Sequence, residues 1–374
     1  MNVKLVSLIS LMIIFMGISA AILGGVVSDG AGATIITDGA GRTFEYTEPT
    51  EHIVTMGYAS TLTAAMTGGI DKIIAVDTYS TYDYTKDDRL EALDAMNMGS
   101  IYGASNNDFI VSQFVQWVQD GKMSLHDTII LTSYSNAYVL RDKLNSVGFD
   151  HVLLFFVPPQ DGSVLKVTYD QVVEFVNDIS IIITGGKSDI ADNMRLVENN
   201  IKEGLNGVSD KALGLGLWYY STSGFSVCNT GSITASLIET AGGVNVAYND
   251  STSSTTYGDT STIIQLVESN PNVVIFLPES YTRNNSVSDF RNNILGGDTS
   301  VTIVPMDANW NNYDPDAADG LWAFACAMYP NVFSGPAPHV NDGASGSDVL
   351  MYAVAGIFIA LIMLASGYFV MRGP

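Results

Sequence analysis

Residues 36–81 read ITDGAGRTFEYTEPTEHIVTMGYASTLTAAMTGGIDKIIAVDTYST. Two short apolar, β-branched runs, HIVTM ending at Met56 and KIIAV ending at Val76, flank a Ser/Thr/Ala-rich spacer that opens at Gly57 and closes at Gly68-Gly69. Runs of four or five such residues bounded by glycine read as strands, and a spacer of this length between them reads as a helix. A strand joined to a parallel neighbour needs a crossover of this kind, so the stretch is a βαβ unit. The same alternation continues outward. DTIILTS and HVLLFFV follow in the first half of the chain, and LGLGLWYYS, NVVIFLP and VTIVPM in the second, each separated by amphipathic stretches. Alternating strand and helix signals predict an α/β protein with mostly parallel sheets.

The two halves share a local pattern. Gly57 is followed eleven residues later by Gly68-Gly69-Ile70, and Gly231 eleven residues later by Gly242-Gly243-Val244. Equal spacing around a helical spacer implies two lobes of similar build. Between them, Thr168 and Gln171 form a capping-box signature that opens a helix, which Gly185-Gly186 ends. A second helical pattern places Ile190, Met194, Val197, Ile201 and Leu205 on one face, with Asp192, Arg195, Glu198, Asn199 and Lys202 largely on the other. At about 18 residues it would reach about 27 Å, as a strut between lobes or as an ordinary packed helix. The expected organisation is a first lobe at residues 34–167, linking helices at 168–207 and a second lobe at 208–333.

The ends predict export. Residues 1–24 place Lys4 before an apolar run that closes on Ser19, Ala20 and Ala21, the order of a signal peptide or an uncleaved signal anchor. Residues 349–371 hold 23 positions without a charge, enough for a transmembrane helix. Asp342 and Asp348 precede it and Arg372 follows, which puts the bulk of the chain outside the cytoplasm. Residues 334–348, rich in Pro, Gly, Ser and Asp, read as a flexible stalk. The localisation expected is a membrane-anchored protein with its lobes outside the cell.

Acids number 39 against 16 Lys plus Arg, a net charge of -23, which disfavours nucleic acid and anionic headgroups. Cys228 and Cys326 are the only cysteines, and the sequence leaves their pairing open. His52, His126, His151 and His339 are isolated, so no metal site is expected. No nucleophile elbow and no phosphate-cradling loop occurs. These residues predict a protein that is not an enzyme.

Residues 36–81 resemble the opening of the helical-backbone substrate-binding proteins of importers for iron-siderophores, haem and cobalamin, with Asp38, Gly41 and Arg42 in the hairpin that begins that family. SLIETAGGVNVA at 236–247, IIQLVESNPNVVIFL at 263–277 and WAFACAMYPNVF at 322–333 are similar to the family's second-lobe and closing segments. The resemblance implies two α/β lobes joined by one long rigid helix, with a ligand in the cleft between them, and an ABC permease with its ATPase as partners of a monomeric receptor.

Loops at the carboxyl ends of parallel strands face the crevice where α/β proteins bind ligands. Aromatic side chains on them give broad contact with a polar handle. On these grounds Tyr58, Tyr79, Tyr82, Tyr102, Phe225, Tyr257 and Trp310 are the candidate ligand-binding residues, among neighbours that include Trp218, Tyr219 and Tyr313. Asn106, Asn107, Ser133, Asn309 and Asn311 add neutral hydrogen-bonding groups, and cations are few. That lining favours a large, nearly neutral, amide-fringed ligand, cobalamin first and haem or a ferric siderophore second. A surface or adhesion module with no transport role would share the export segments and the acidic surface. By resemblance, a permease meets one glutamate on each lobe. Here those positions are Gln119 and Ile264, and Asp120 and Glu268 are the nearest acids for docking.

Overall fold

The computed structural model describes residues 33–81, 87–100, 106–133, 136–221, 224–247 and 255–339. The predicted export segment, the predicted anchor and most of the stalk lie outside these residues, as do Tyr82 and Tyr102. Among the described residues no helix is long and apolar enough to cross a membrane.

Lobe 1 begins with an antiparallel hairpin, β1 (Thr34–Thr37) and β2 (Thr43–Tyr46). Its turn is tied by the buried Asp38 carboxylate, which accepts from Ala40 N (3.0 Å), Arg42 N (2.8 Å) and Leu154 N (3.1 Å). There follow β3 (Ile53–Met56), α1 (Tyr58–Ala64), β4 (Ile73–Val76), β5 (Met96–Asn97), α2 (Asn106–Gln119), β6 (Thr128–Thr132), α3 (Ala137–Ser146) and β7 (Val152–Phe155). The strands form one parallel sheet in the order β5-β4-β3-β6-β7. Strands covered on both faces must be apolar throughout. Accordingly Ile53, Ile130 and Leu153 enter one core, while Val54, Met56, Ile129, Leu131 and Leu154 enter another against α2 and α3.

The linking helices are α4 (Tyr169–Thr184) and α5 (Asp189–Gly204). The predicted capping box is present at Thr168 and Gln171, and Gly185 ends α4 in the left-handed conformation at φ 76°. The strut is α4. At its start Tyr169 N donates to Ser236 Oγ of lobe 2 (2.9 Å), and near its end the Ile182 carbonyl accepts from Thr50 N of lobe 1 (2.8 Å). Its 16 residues span about 24 Å. Of the two readings left open for α5, the ordinary packed helix is the one observed. Its apolar face, with Met194, Val197 and Ile201 buried, returns toward lobe 2, where Gly204 lies against Phe333. Periodicity identifies a buried face and not the element that covers it.

Lobe 2 contains β8 (Leu213–Ser221), β9 (Gly224–Cys228), α6 (Ile233–Thr240), β10 (Val244–Asn245), β11 (Thr255–Gly258), α7 (Thr260–Ser269), β12 (Val274–Leu277), α8 (Glu279–Thr282), α9 (Val287–Asn293), β13 (Thr302–Pro305) and α10 (Ala317–Met328). The sheet runs β11-β9-β8-β12-β13, with β10 beside β8. β8, β10, β12 and β13 are parallel, but β9 is antiparallel to both β8 and β11, so this sheet is mixed where a mostly parallel one was expected.

The repeated glycines superpose in role. Gly57 and Gly231 both adopt φ 102° ahead of α1 and α6, and Gly68 and Gly242 adopt φ 90° and 84° after them. One core is shared by both lobes: Ile53 and Ile73 of lobe 1, Val172, Val176 and Ile179 of α4, and Leu237, Phe276 and Phe324 of lobe 2 belong to it.

Candidate functional site at the seam between the lobes

The carboxyl ends of β3, β4 and β6 are bound together by side chains. Asp77, at the end of β4, is fully buried and accepts from Gly57 N (2.8 Å), Tyr79 N (3.1 Å) and Ser80 Oγ (2.5 Å). Burial nevertheless raises its carboxyl above the usual carboxylate range. Ser133 and Phe156, the residues that follow β6 and β7, take φ 56° and 51°, a region sparsely used by residues other than glycine. Strained backbone at strand ends marks loops whose direction the surrounding structure imposes.

Lobe 2 meets this edge with residues 307–316, the segment after β13. Tyr313 packs its ring on Phe156 at 4.7 Å. Asp316, at the head of α10, receives the guanidinium of Arg89 in a two-pronged contact, Nη1 to Oδ1 at 2.7 Å and Nη2 to Oδ2 at 2.6 Å. Arg89 also grips Asp87 of its own lobe through Nε (2.8 Å) and Nη2 (2.5 Å). Asp87 in turn accepts from the Tyr58 hydroxyl at 2.9 Å. The Arg89 contacts hold the Asp87 carboxyl down to about 2. The two carboxylates raise the guanidinium above its ordinary range, Asp316 most, and burial keeps the Tyr58 phenol protonated. Planar, charge-assisted pairs of this kind are short and directional.

Asp314 lies beside this group with no exposure at all. One oxygen accepts from Asp316 N (3.0 Å), while Oδ2 has no hydrogen-bond partner among the described residues. Burial, reinforced by Asp316, pushes its carboxyl well above the usual range. Asp319 is raised for the same two reasons. Four carboxyl groups, Asp87, Asp314, Asp316 and Asp319, and one guanidinium thus lie together where the lobes touch, an arrangement suited to holding a ligand by charge and N–H contacts. Among the described residues no three His, Cys, Asp or Glu side chains converge to hold a metal ion.

Of the residues singled out in the sequence, Tyr58 stands in this seam and Tyr79 half-buried beside it. Tyr257 is 56% exposed on β11 and pairs with Ser226, which pairs in turn with Tyr219, so the two tyrosines flank a serine on one face of the lobe-2 sheet. Trp310 is half-buried against α10, where Gly320 leaves room for its Cβ. Phe225 is enclosed with Tyr220, Tyr281 and Phe290 and fills the lobe-2 core, offering nothing to the cleft. The hairpin β8–β9 turns it inward. Asp120 and Glu268 are exposed at the far ends of α2 and α7. Phe114 of α2 packs on Phe149, just before β7, and α7 leads into β12 through residues 270–273, so both acids sit by the amino ends of the strands. Arg89, Asp314 and Asp316 were not anticipated.

The Roseiflexus periplasmic haem-binding protein RhuT in apo form is similar at TM-score 0.53, with 14% identity over 76% of this chain and 99% of its own. Helicobacter pylori CeuE with Ni(II) bound gives 0.54, 17% identity, and coverage of 80% and 90%. An ABC-type Fe3+-hydroxamate transport protein from Saccharomonospora viridis gives 0.52, 16% identity, and coverage of 79% and 99%. The chain has the fold of the periplasmic helical-backbone binding proteins. No protein-family profile and no curated protein sequence matches it. At these identities the likeness establishes architecture, and the site must be argued from its own residues.

Proposed function

We infer that this chain is the ligand-capturing receptor of an ABC-type importer, held outside the cytoplasm by the apolar segment at residues 349–371. The observation on which this rests is the seam. Loops from the carboxyl ends of β3, β4 and β7 meet the segment after β13 from the other lobe, and Arg89 and Asp316 join them. Ligands of α/β proteins bind outside the carboxyl ends of their strands, and here two such edges face each other. A permease and its ATPase are the partners of such a receptor, which acts as a monomer and performs binding and not catalysis.

The ligand favoured is a corrinoid of the cobalamin type, with haem or a ferric siderophore as the alternative. The carboxyl groups at the seam outnumber its one guanidinium, which supports an amide-fringed ligand that donates N–H groups over a polyanion. A thermal-shift screen of the full chain in detergent with corrinoids, haem and ferric siderophores tests this. A ligand at a hundred times its Kd stabilises the folded state by about 2.7 kcal/mol. A shift with corrinoids alone supports the assignment, and no shift with any class sinks the receptor reading.

A further inference from the structure

We propose that Asp87, Asp314 and Asp316 form a cation-binding subsite at the seam, occupied in the ligand-free chain by the guanidinium of Arg89, and that a ligand presenting positively charged N–H donors takes its place. The proposal goes beyond the receptor reading: it concerns a cationic occupant of the seam, a charge class that the neutral amides of a corrinoid do not supply.

Stoichiometry is the first ground. Arg89 satisfies Asp87 and Asp316 at 2.5 to 2.8 Å, yet the third carboxyl, Asp314, keeps Oδ2 buried with no partner among the described residues. A buried polar atom left unpaired costs free energy that an incoming partner would recover, and a cation beside Asp314 would draw off the proton that burial holds there. The second ground is the placement of Arg89. It sits on a short 3-10 turn, Asp88–Leu90, with its side chain 36% exposed, whereas Asp316 heads a packed helix and Asp314 is enclosed. The cation is the part able to leave, and the carboxyl groups are the part that stays. Tyr58, bonded to Asp87 at 2.9 Å, fixes that carboxylate from behind when Arg89 withdraws. The group that fills the place is a guanidinium, bound through its N–H donors, so the occupant proposed is a cation that carries its own N–H groups.

An internal occupant lowers the apparent affinity for an external one by the fraction of sites it fills. The test is isothermal titration of the full chain in detergent, at near-physiological salt, with hexaamminecobalt(III) and with hexacyanocobaltate(III). The two ions share metal and octahedral shape and differ in the sign of charge. The wild type should bind the ammine complex saturably and the cyanide complex not at all. Arg89→Ala should bind the ammine complex about tenfold more tightly. Adding Asp314→Asn and Asp316→Asn to that variant should abolish the saturable component. Arg89→Lys, which keeps a charge without the fork, should fall between wild type and Arg89→Ala, and it replaces the alanine variant if that one does not fold. Equal affinity in wild type and Arg89→Ala, or undiminished binding by the triple variant, would overturn the subsite and leave only the general attraction of an acidic protein. A chain that takes the cobalt cation but no cofactor keeps the subsite and loses the receptor reading.

Discussion

Gly57 stands against Thr132: a β-carbon on the glycine would lie 2.4 Å from the threonine hydroxyl oxygen and 3.1 Å from its carbonyl oxygen. The hydroxyl is itself committed, donating to the Met56 carbonyl at 2.9 Å, so it cannot easily turn aside. Gly57 also needs φ 102°, and its N–H is held by Asp77. Three strand ends are fastened at this one residue, directly beneath the seam.

Gly57→Ala is therefore expected to destabilise the protein by about 2–4 kcal/mol, a backbone penalty plus a clash. Gly231→Ala shares the φ of 102° but meets the flexible Lys166 side chain at 3.0 Å, and should cost less. Urea unfolding of the two variants checks the order, and a Gly231 variant as damaged as the Gly57 one would contradict it.

Much of this architecture could be read in the sequence because it depends on local pattern. All seven strand runs and the capping box at Thr168 are where apolar alternation and cap chemistry put them. What escaped depends on distant partners. Arg89 lies in an acidic stretch, DDRLE, and nothing near it signals an aspartate 227 residues away. Phe225 follows a strand and so resembled a cleft aromatic, but the chain turns back as an antiparallel β9 and directs the ring into the core. The apolar face of α5 was read correctly, but Glu198, assigned to the polar face, is buried and paired with Arg195 and Lys202, and the choice of strut required knowing what each end touches.

Thr168→Ala should cost about 1 kcal/mol by removing the N-cap hydroxyl that accepts from Gln171 N, although the backbone N–H of residue 168 can still donate to the Gln171 side chain. Because α4 bears on both lobes, unfolding should remain a single transition. Separate melting of two lobes in this variant would show that the shared core does not couple them.

Trp310 and Tyr257 should part company on truncation. Trp310→Ala removes a ring that packs on α10 beside Gly320, and a loss of about 2 kcal/mol or more of stability is expected. Tyr257→Ala, at 56% exposure, should leave stability within about 0.5 kcal/mol. If Tyr257 faces ligand, the same change weakens binding by more than about 1 kcal/mol, read by titration with whichever cofactor shifts the melting temperature.

The cysteines are both free, Cys228 buried and Cys326 partly so. Burial pushes the Cys228 thiol up to about 12, and its thiolate is suppressed at neutral pH. A reducing agent should leave the melting temperature unchanged, and a maleimide should label Cys326 well before Cys228. A drop in stability on reduction would reveal a bridge.

Asp178 gives the pH dependence a sign that can be checked. It lines a pocket of about 220 Å³ between the β1–β2 turn and α4, whose wall also holds Glu174 and Lys166. Burial, reinforced by Glu174 one turn earlier, pushes its carboxyl up to about 7. The unfolded chain releases this proton near pH 4, at the ordinary value of about 3.9. Between about pH 4 and 7 the folded state thus binds the extra proton, and stability falls as pH rises through that window. Above it the full penalty of a buried carboxylate remains. Asp178→Asn removes the titration, so its stability should be flatter from about pH 4 to 8 and exceed the wild type by about 1–2 kcal/mol at about pH 8, after allowance for solvent screening. Urea midpoints measured across that range decide the matter. A wild type whose stability is as flat as the variant's between about pH 4 and 8 would mean that Asp178 is ionised throughout, with Lys166 as its counter-ion.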